Sequence, residues 1–414
     1  MTNWLASGLP ESDLGQDMVN PLLSVVIPSC NRQKYLVSIM ETLLRETEAQ
    51  LVVSDNSDQP LEQDVLQSFQ AGERIIYVHH AERLSVVDNF ERAARLATGE
   101  YMIFIGDDDC VGPDIEEIVR WARRQGVDAV VSYTDRFIAN YFWPGVVSKY
   151  FGDGYAGRMF VTPFTGKVVP LDTRKAIADA ANRPGFGLGK MARAYHGLVS
   201  RDLVERVIKK HGRLFGGVSP DIYSATLLTN ESRKACVVDY PFVIPGASPS
   251  STAGEGAARQ DTDGLKKREH IARFGDGLQW DSRIPEFYSP VTVWSYSHQQ
   301  ALDLLGDHEL TVNFPRLYLK CLLQYRDHHA EVKAACRHWR QSGSLSRLLI
   351  GGVTGFLGEL QAQIWRVWFR FATRSATVEG LESMDAAVRA LKERAGPWVA
   401  PDRISGSAMD ASSL

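Results

Sequence analysis

The 414-residue sequence lacks the cysteine pairs, the apolar leader and the long apolar runs that mark several classes of protein. Its five cysteines are odd in number and none are spaced as CxxC, so neither a disulfide framework nor a cysteine zinc site is predicted. No apolar run approaches the roughly 18 residues of a membrane-spanning helix. The first 20 residues have no basic start and no apolar core, which argues against a secretory signal. We therefore expect a reduced, cytoplasmic protein.

A dominant charge and a dinucleotide fingerprint are missing as well. The 46 basic and 50 acidic residues leave a formal net charge of −4, which predicts no bulk attraction to nucleic acid. No GxGxxG pattern follows the first apolar run, and this argues against a Rossmann-type dehydrogenase. With 44% hydrophobic and 23% charged residues, the composition is that of a folded protein.

What the sequence does have is a regular alternation of short apolar runs and amphipathic segments over its first 135 residues. The apolar runs predict five strands, at residues 22–28, 49–55, 74–80, 101–106 and 128–135. Helical spacing of apolar residues predicts helices between them, the first with Asn31 as its N-cap. Strands that alternate with helices predict an α/β fold with a mostly parallel sheet.

Polar residues follow three of the predicted strands. They form the clusters Ser29-Cys30-Asn31-Arg32, Ser54-Asp55-Asn56-Ser57 and Asp107-Asp108-Asp109. Parallel sheets bind ligands beyond the carboxyl ends of their strands, so we expect these clusters to line one site. Adjacent carboxylates suit oxygen-binding cations such as Mg²⁺ or Mn²⁺. The alternative for the acidic triplet is a solvated turn with no ligand.

In this order and spacing, the segments SVVIPSCNR, LVVSDNSD and GEYMIFIGDDDCVGPD resemble the family 2 inverting glycosyltransferases. The resemblance extends over residues 22–250. It implies the GT-A fold, a Rossmann-like α/β domain with a mostly parallel sheet and helices on both faces, here followed by a C-terminal helical extension. It also implies transfer of a sugar from a nucleotide-diphospho-sugar to an acceptor hydroxyl. A UDP-sugar is favoured as donor, and a glycan or lipid-linked glycan as acceptor, as in polysaccharide biosynthesis.

The resemblance assigns the first two polar clusters to the nucleoside. Pro28, Cys30 and Arg32 would flank the base, and Asp55 would accept a hydrogen bond from a uracil-like ring. The family often has an aromatic residue where this sequence has Cys30, so a ring stacked on the base would have to come from elsewhere.

The acidic triplet and a later aspartate would carry the reaction. By resemblance to the DxD motif, Asp107 and Asp108 would bind the donor, and Asp107 and Asp109 would hold a divalent Mn²⁺ or Mg²⁺. An inverting transfer also needs a general base for the acceptor hydroxyl. Asp221, at the start of a predicted helix, lies where the family carries its catalytic acid. The alternative is that Ser219 or Asp221 merely caps that helix.

Four further residues are candidates for contacts with the acceptor or the diphosphate. They are Lys190, Arg193, His196 and Ser248. Cationic side chains can stabilise leaving phosphates. The alternative is that these residues are solvated or packed without a ligand.

The patterns divide the chain into four parts. We expect a flexible N-terminus at 1–20, a transferase domain at 21–260, a helical region at 261–400 and a disordered tail at 401–414. The domain would comprise a nucleotide-binding half at 21–135 and an acceptor half at 136–260.

Two other functions match parts of the sequence. DDDCV and GDGLQWD (275–281) resemble motifs of haloacid-dehalogenase-type phosphatases, with Asp107 as nucleophile and Asp109 as acid/base. In that class, however, the nucleophile follows the first core strand, whereas here three predicted strands come before the strand that leads into Asp107. A non-catalytic protein that binds nucleotide sugars on the same fold is the second alternative.

The C-terminal region carries a local positive charge that the net charge of the whole chain conceals. Residues 313–374 contain ten basic and three acidic residues. Apolar residues at helical spacing run through the same region: Leu357, Leu360, Ile364, Trp368 and Phe371. This pattern indicates a basic amphipathic helix that would contact the inner face of a membrane. Alternatives are packing on the catalytic domain, contact with a second copy in a homo-oligomer, and binding of nucleic acid, including a modified nucleic acid as acceptor.

Overall fold

The strands of the protein form one large sheet and two small ones. The computed structural model describes residues 21–69, 74–132, 138–148, 151–251, 264–267, 269–307, 309–341, 351–353, 355–358, 360, 361, 364, 376–402 and 404. The predicted N-terminus 1–20 and most of the predicted tail 401–414 lie outside these residues. The strands are β1 Leu23–Ser29, β2 Gln50–Asp55, β3 Ile75–His79, β4 Tyr101–Phe104, β5 Cys110–Val111, β6 Ala129–Val131, β7 Ala139–Phe142, β8 Arg158–Val161, β9 Val168–Pro170, β10 Gly197–Ser200, β11 Ala235–Val238, β12 Val243–Ile244, β13 Gly246–Ala247 and β14 Ala376–Val378.

Helices precede or follow most of these strands. The α-helices with bounds in the described residues are α1 Gln33–Glu46, α2 Gln63–Phe69, α3 Val86–Leu96, α4 Ile115–Gln125, α5 Thr173–Asn182, α6 Arg201–His211, α7 Pro220–Glu231, α8 Glu269–Ala272, α9 Pro290–Leu305, α10 Phe314–Gln324, α11 His329–Arg340 and α12 Met384–Ala395. Among these described helices, none combines the length and the apolar character needed to cross a bilayer.

The large sheet has eight strands in the order β3-β2-β1-β4-β10-β6-β11-β9. The neighbours β3, β2, β1 and β4 run parallel, as do β6 and β11. Strand β10 is antiparallel to both of its neighbours, and β9 is antiparallel to β11. Six strands therefore point in one direction, and the predicted mostly parallel sheet is confirmed. A second sheet has the order β13-β7-β8-β14, and β12 pairs with β5.

Alternate residues of the central strands face two different helical layers, because successive side chains of a strand point to opposite faces. Val25 and Ile27 of β1 pack in one core with side chains from α1, α4 and α12. Val26, between them, packs in the other core with side chains from α3, α6 and α7. Helices thus cover both faces, and the predicted α/β fold class is confirmed.

The turn between β1 and α1 differs from the prediction. Arg32, not Asn31, is the N-cap residue of α1, and its side chain makes no capping hydrogen bond. Asn31 has a left-handed backbone with φ of 56°. Its side chain instead donates to Asp58 Oδ2 (3.2 Å) and accepts from the Asp58 main-chain N–H (2.9 Å). Asn31 therefore joins the loops after β1 and β2 and is not available as a cap.

The C-terminal region is divided differently from the prediction. Helices α9, α10 and α11 form a separate core that includes residues of α5 and α7. The chain then returns to the first domain, where β14 pairs with β8 and α12 joins the core beside α1. The Trp398 main-chain N–H donates to Asp114 Oδ2 (2.7 Å), and Trp121 Nε1 donates to the Pro401 carbonyl (3.0 Å). Residues 376–402 therefore pack with the first domain, predicted at 21–260, and the described start of the predicted tail is held against α4.

Trp398 lies in the segment that returns to the first domain, is 7% exposed and packs edge-on against Trp121. We therefore expect it to contribute strongly to the stability of the protein. We expect Trp398→Ala to lower the free energy of unfolding by about 3 kcal/mol, because it removes a large buried ring. Urea unfolding followed by circular dichroism measures this loss. Val399→Ala is the control, since Val399 is 81% exposed and its truncation should have little effect. Equal stability of both variants would show that the returning segment contributes little.

Candidate active site

The carboxyl ends of β1, β2 and β4 bring the three predicted polar clusters together. Ser29 and Asp55 are register partners at the ends of β1 and β2. The Asn56 main-chain N–H donates to the Ser29 carbonyl (2.9 Å), which ties the two loops. The Ser29 hydroxyl donates to Asp107 Oδ2 (2.7 Å) in the loop after β4. The acidic triplet therefore lies beside the clusters that follow β1 and β2, at one edge of the sheet.

Arg32 forms ion pairs with the first two carboxylates of the triplet. Its Nη2 lies 2.7 Å from Asp107 Oδ1, and its Nη1 lies 3.5 Å from Asp108 Oδ1. The guanidinium thus places a positive charge between two buried carboxylates. The structure positions Arg32 at the acidic triplet, although the sequence had suggested a place beside the base.

Asp108 is also held by the segment after β12. Its Oδ2 accepts from the Ser248 main-chain N–H (3.0 Å), and its main-chain carbonyl accepts from Trp143 Nε1 (2.8 Å). A Cβ atom on Gly246 would lie 1.7 Å from the same carbonyl, so only glycine fits there. The predicted Ser248 therefore contacts the triplet through its backbone.

Asp109 accepts hydrogen bonds from four donors. Its Oδ1 accepts from the Gly246 main-chain N–H (2.7 Å), and its Oδ2 accepts from the Gly106 main-chain N–H (2.7 Å). The Tyr195 hydroxyl donates to Oδ2 at 2.9 Å, and His196 Nε2 lies 2.6 Å from it. His196 has a left-handed backbone with φ of 60°, and its main-chain N–H donates to the Phe104 carbonyl at the end of β4. The predicted His196 is thus a partner of Asp109.

The three carboxylates differ in their charge environment. Burial raises the pKa of Asp107 to about 7, although Arg32 opposes the shift. Burial and the neighbouring charge of Asp109 also raise the pKa of Asp108. Burial would raise the pKa of Asp109 too, but His196 and the two amides from Gly246 and Gly106 lower it below its usual range. Asp109 is therefore the carboxylate that the protein itself neutralises best.

Asp221 lies at the start of α7, close enough to His196 and Asp109 for their charges to affect its pKa. Its side chain is partly buried. Burial raises its pKa to about 6, while His196 and Arg193 favour the charged form and Asp109 disfavours it. Ser219 is the N-cap residue but makes no side-chain capping bond. The arrangement leaves Asp221 able to accept a proton.

The donors around the triplet decide which carboxylates suit a metal ion. As they stand, no three described His, Cys, Asp or Glu side chains form a group that would hold a metal. No described group donates a hydrogen bond to Asp107 Oδ1, and this oxygen and Asp108 Oδ1 both face the Arg32 guanidinium. These two oxygens fit a divalent cation if the guanidinium moves away, since hard cations prefer carboxylate oxygen. The oxygens of Asp109 already accept from four protein donors, which leaves them less available to a metal than those of Asp107 and Asp108. The metal role of Asp109 stays a prediction.

The predicted nucleoside residues are held by internal contacts. Asp55 Oδ1 accepts from the Ser57 main-chain N–H (2.9 Å) and hydroxyl (2.5 Å), and the Tyr77 hydroxyl donates to Oδ2 (2.7 Å). Burial and the bond to Asp55 raise the pKa of Tyr77. Pro28 lies inside β1, and the Cys30 thiol donates to the Asn56 carbonyl (3.2 Å). The nucleoside roles of these residues stay predictions.

Arg273, in the segment after α8, is a residue that the sequence patterns did not indicate. Its Nη1 donates to Asn56 Oδ1 (3.1 Å) and the Leu84 carbonyl (3.3 Å), and lies 3.5 Å from Cys30 Sγ. The C-terminal region thereby supplies a cation to the loops after β1 and β2. Tyr195 was also missed, because an aromatic residue beside a strand usually indicates packing alone.

Lys190 and Arg193 lie in the loop between α5 and β10. Arg193 is 2% exposed, its Nε donates to the Met191 carbonyl (3.1 Å), and its Nη2 donates to the Gly189 carbonyl. Arg193 therefore fixes its own loop and acts on Asp221 through its charge. Lys190 is partly exposed. Contacts of either residue with a diphosphate stay predictions.

Residues 24–170 match the sequence profile of the family described as Glycosyl transferase family 2. The PGL/p-HBAD biosynthesis glycosyltransferase of Mycobacterium bovis (strain BCG / Pasteur 1173P2) is 31% identical over 96 residues, which cover 22% of this chain and 37% of that protein. The validoxylamine A glucosyltransferase of Streptomyces hygroscopicus subsp. limoneus is 35% identical over 104 residues, or 24% of this chain and 23% of that protein. The chain thus matches well under half of the length of either relative.

Among solved structures, S. aureus TarS 1-349 in complex with UDP-GlcNAc aligns with 80% of this chain and 79% of its own, at 10% identity and a TM-score of 0.41. The mannosyltransferase PcManGT from Pyrobaculum calidifontis, in complex with GDP-Man and Mn²⁺, aligns with 91% of this chain and 88% of its own, at 13% identity and a TM-score of 0.37. The profile match itself includes β1 to β4, the loops that follow them and the acidic triplet. Residues 24–170 are therefore similar to the domain that defines Glycosyl transferase family 2.

Proposed function

We propose that the protein transfers a sugar from a nucleotide-diphospho-sugar, with a UDP-sugar favoured, to an acceptor hydroxyl with inversion at the anomeric carbon. The observation that supports this most is the position of Asp221, a carboxylate with a raised pKa, beside the His196–Asp109 pair. Both curated relatives described above are named as glycosyltransferases. The acceptor that we propose is a glycan or a lipid-linked glycan. The cytoplasmic location and a homo-oligomeric state stay predictions.

In the proposed reaction, Asp221 acts as the general base. Its carboxylate takes the proton of the acceptor hydroxyl while the acceptor oxygen forms a bond to the anomeric carbon. The bond from that carbon to the diphosphate breaks on the opposite side, and the nucleoside diphosphate leaves with the electron pair. A base works best when its pKa lies near the working pH, and a value of about 6 meets this condition.

Asp107 and Asp108 would hold a divalent metal in this proposal, with Arg32 displaced from between them. The metal, Mn²⁺ or Mg²⁺, would supply positive charge to the departing diphosphate. Arg32 would remain at the edge of the site, where a guanidinium can pair with phosphate oxygens. Ser29 keeps Asp107 oriented through its bond to Oδ2.

The phosphatase alternative has less support. Its late motif would need Asp281 near the triplet, but Asp281 is paired with Arg283 (2.6 Å) in a region where Gly275–Gly277 forms a 3₁₀ turn. Asp107 follows the fourth strand of the chain, as expected for the transferase alternative. A measurement of turnover distinguishes the other alternative, since a non-catalytic protein would bind nucleotide sugars without converting them.

A donor screen tests the proposed function directly. We expect the purified full chain, with Mn²⁺ or Mg²⁺, to hydrolyse one nucleotide-diphospho-sugar slowly and others hardly at all, because water can replace the acceptor. Release of nucleoside diphosphate from UDP-, GDP- and dTDP-sugars is measured, with p-nitrophenyl phosphate as the phosphatase substrate. Binding without any turnover would support the non-catalytic alternative. Neither binding nor turnover of any nucleotide sugar would refute the proposal.

Asp221→Asn should lower kcat by a factor of about 10² to 10⁴, because the amide cannot take the acceptor proton. Donor affinity, measured by calorimetry, should change little. The matched control is Asp202→Asn, an exposed aspartate in the first turn of α6, which should keep full activity. A loss of donor binding in Asp221→Asn would point to a binding role in place of the base.

The pH dependence offers a separate test of the same residue. Because the base must be ionised and its pKa is about 6, we expect kcat/KM to be constant well above pH 6 and to fall tenfold per pH unit well below it. The residual activity of Asp221→Asn should lack this decrease. A wild-type profile without a decrease near pH 6 would exclude Asp221 as the base.

Arg32→Gln should increase the affinity for Mn²⁺ in the absence of nucleotide by about tenfold or more. The metal then no longer has to displace the ion pairs of Arg32 with Asp107 and Asp108, and a tenfold change in affinity corresponds to only about 1.4 kcal/mol. Isothermal titration with MnCl₂ at a pH above the pKa of Asp107, which is about 7, measures the change. Arg92→Gln is the control, because Arg92 pairs with Glu82 away from the triplet. Unchanged affinity in Arg32→Gln would show that the guanidinium does not compete with the metal.

A further inference from the structure

One helical segment in the C-terminal region packs through glycines. Residues 351–353, 355–358, 360, 361 and 364 are helical, and we call them the outer segment. Residues on a helix are rotated by about 100° from one to the next, so Gly351, Gly355 and Gly358 share one face. A Cβ on Gly351 would lie 2.8 Å from Pro315, and Cβ atoms on Gly355 and Gly358 would lie 3.3 Å and 3.0 Å from Arg316. The glycine face therefore lies directly against the start of α10.

The apolar side chains of the outer segment point the other way. On the same helical geometry they are centred about 180° from the glycines. Their exposed fractions are 62% for Val353, 51% for Phe356, 57% for Leu357, 47% for Leu360 and 61% for Ile364. The interpretation that this stripe packs on the catalytic domain is therefore wrong for Leu357, Leu360 and Ile364. Trp368 and Phe371, which were predicted to extend the stripe, lie outside the described residues.

An exposed apolar stripe of this kind calls for a partner. Burying apolar surface contributes about 25 cal/mol per Å² of favourable free energy. Five large exposed side chains on one face could therefore contribute substantially to the free energy of binding a partner. Contiguous apolar patches on soluble proteins commonly mark contact sites, whereas single exposed residues do not.

The charge of the surrounding sequence selects among the partners. Residues 313–374 contain ten basic and three acidic residues, in a chain whose formal net charge is −4. This local excess attracts an anionic surface and opposes close approach of a second copy through the same region. Nucleic acid is anionic as well, but its phosphate backbone offers no apolar layer for leucine, isoleucine and phenylalanine side chains. A bilayer with anionic headgroups satisfies both features.

We propose that the outer segment is a docking surface for an anionic lipid bilayer. The segment would lie parallel to the membrane, with Phe356, Leu357 and Leu360 buried at the boundary between headgroups and acyl chains. The exposed basic side chains of the two preceding helical elements would pair with lipid phosphates; they are Arg326, Lys333, Arg337 and Arg340. Amphipathic segments bind membranes in this way without crossing them. The proposal does not depend on the transferase reaction, and its failure would leave the proposed function untouched.

Vesicle flotation with the full-length protein tests the proposal. The probes are vesicles of phosphatidylcholine alone and vesicles with about a quarter of phosphatidylglycerol, an anionic lipid. We expect the wild type to float with the anionic vesicles and much less with the neutral ones. Leu357→Asp combined with Leu360→Asp should reduce the bound fraction by at least about tenfold, because two carboxylates replace apolar contacts at the bilayer boundary.

Matched controls separate docking from folding and from other partners. Leu304→Asp, at a 45% exposed leucine of α9, should bind vesicles like the wild type. Circular dichroism of the double variant should match the wild type, since both leucines are exposed. A double variant that floats as well as the wild type overturns the proposal, and so does a wild type that ignores anionic vesicles. Two further results, each with flotation unchanged, would assign this face to another partner and overturn the proposal. One is a wild-type dimer that becomes a monomer in the double variant. The other is an oligonucleotide that binds the wild type but not the double variant.

Discussion

Asp107, Asp108 and Asp109 have almost no contact with water, at 0%, 3% and 2% exposure, although each carries a carboxylate. Burying such groups is costly unless each finds a cation or hydrogen-bond donors. The partners come from separate parts of the chain: Ser29 and Arg32, the Gly106 amide, Tyr195 and His196, and the Gly246 and Ser248 amides. The need to compensate three carboxylates therefore determines where the loops after β1, before β10 and after β12 lie. The same need excludes any side chain at Gly246, whose backbone must approach Asp108 closely.

The compensation is unequal, and the inequality has chemical consequences. Asp109 receives four donors and its pKa is lowered, whereas Asp107 and Asp108 share one guanidinium and their pKa values are raised. Additional positive charge is therefore favoured at Asp107 and Asp108 more than at Asp109. A divalent ion delivered with a diphosphate would meet the two carboxylates that the protein neutralises least. Asp109 is better suited to keep His196 in place, and His196 in turn acts on the charge of Asp221.

The strands and the polar clusters were predictable because local patterns report them. Apolar runs with β-branched residues predicted β1 to β4 and β6, and the edge rule for parallel sheets predicted that the clusters after β1, β2 and β4 meet. The left-handed backbone of His196 and the contacts of Arg273 were not predictable, since both arise from packing between distant segments. The return of residues 376–402 was missed for the same reason. A three-residue edge strand and a buried tryptophan give no local sign of which sheet and helix they join.

The position of Asp221 depends on the C-terminal region as much as on the first domain. The main-chain N–H groups of Leu214 and Phe215 donate to the Glu91 carboxylate of α3 (3.0 Å each). Those of Val218 and Ser219 donate to the hydroxyl of Ser297 in α9 (3.0 Å and 2.9 Å). The loop that leads into α7 is thus held from one side by the first domain and from the other by the helical region. Ser219 makes no capping bond of its own, and the bonds to Ser297 fix the two residues that come directly before α7. The helical region is therefore part of the scaffold of the candidate active site, and substitutions in α9 would act on Asp221 without touching it.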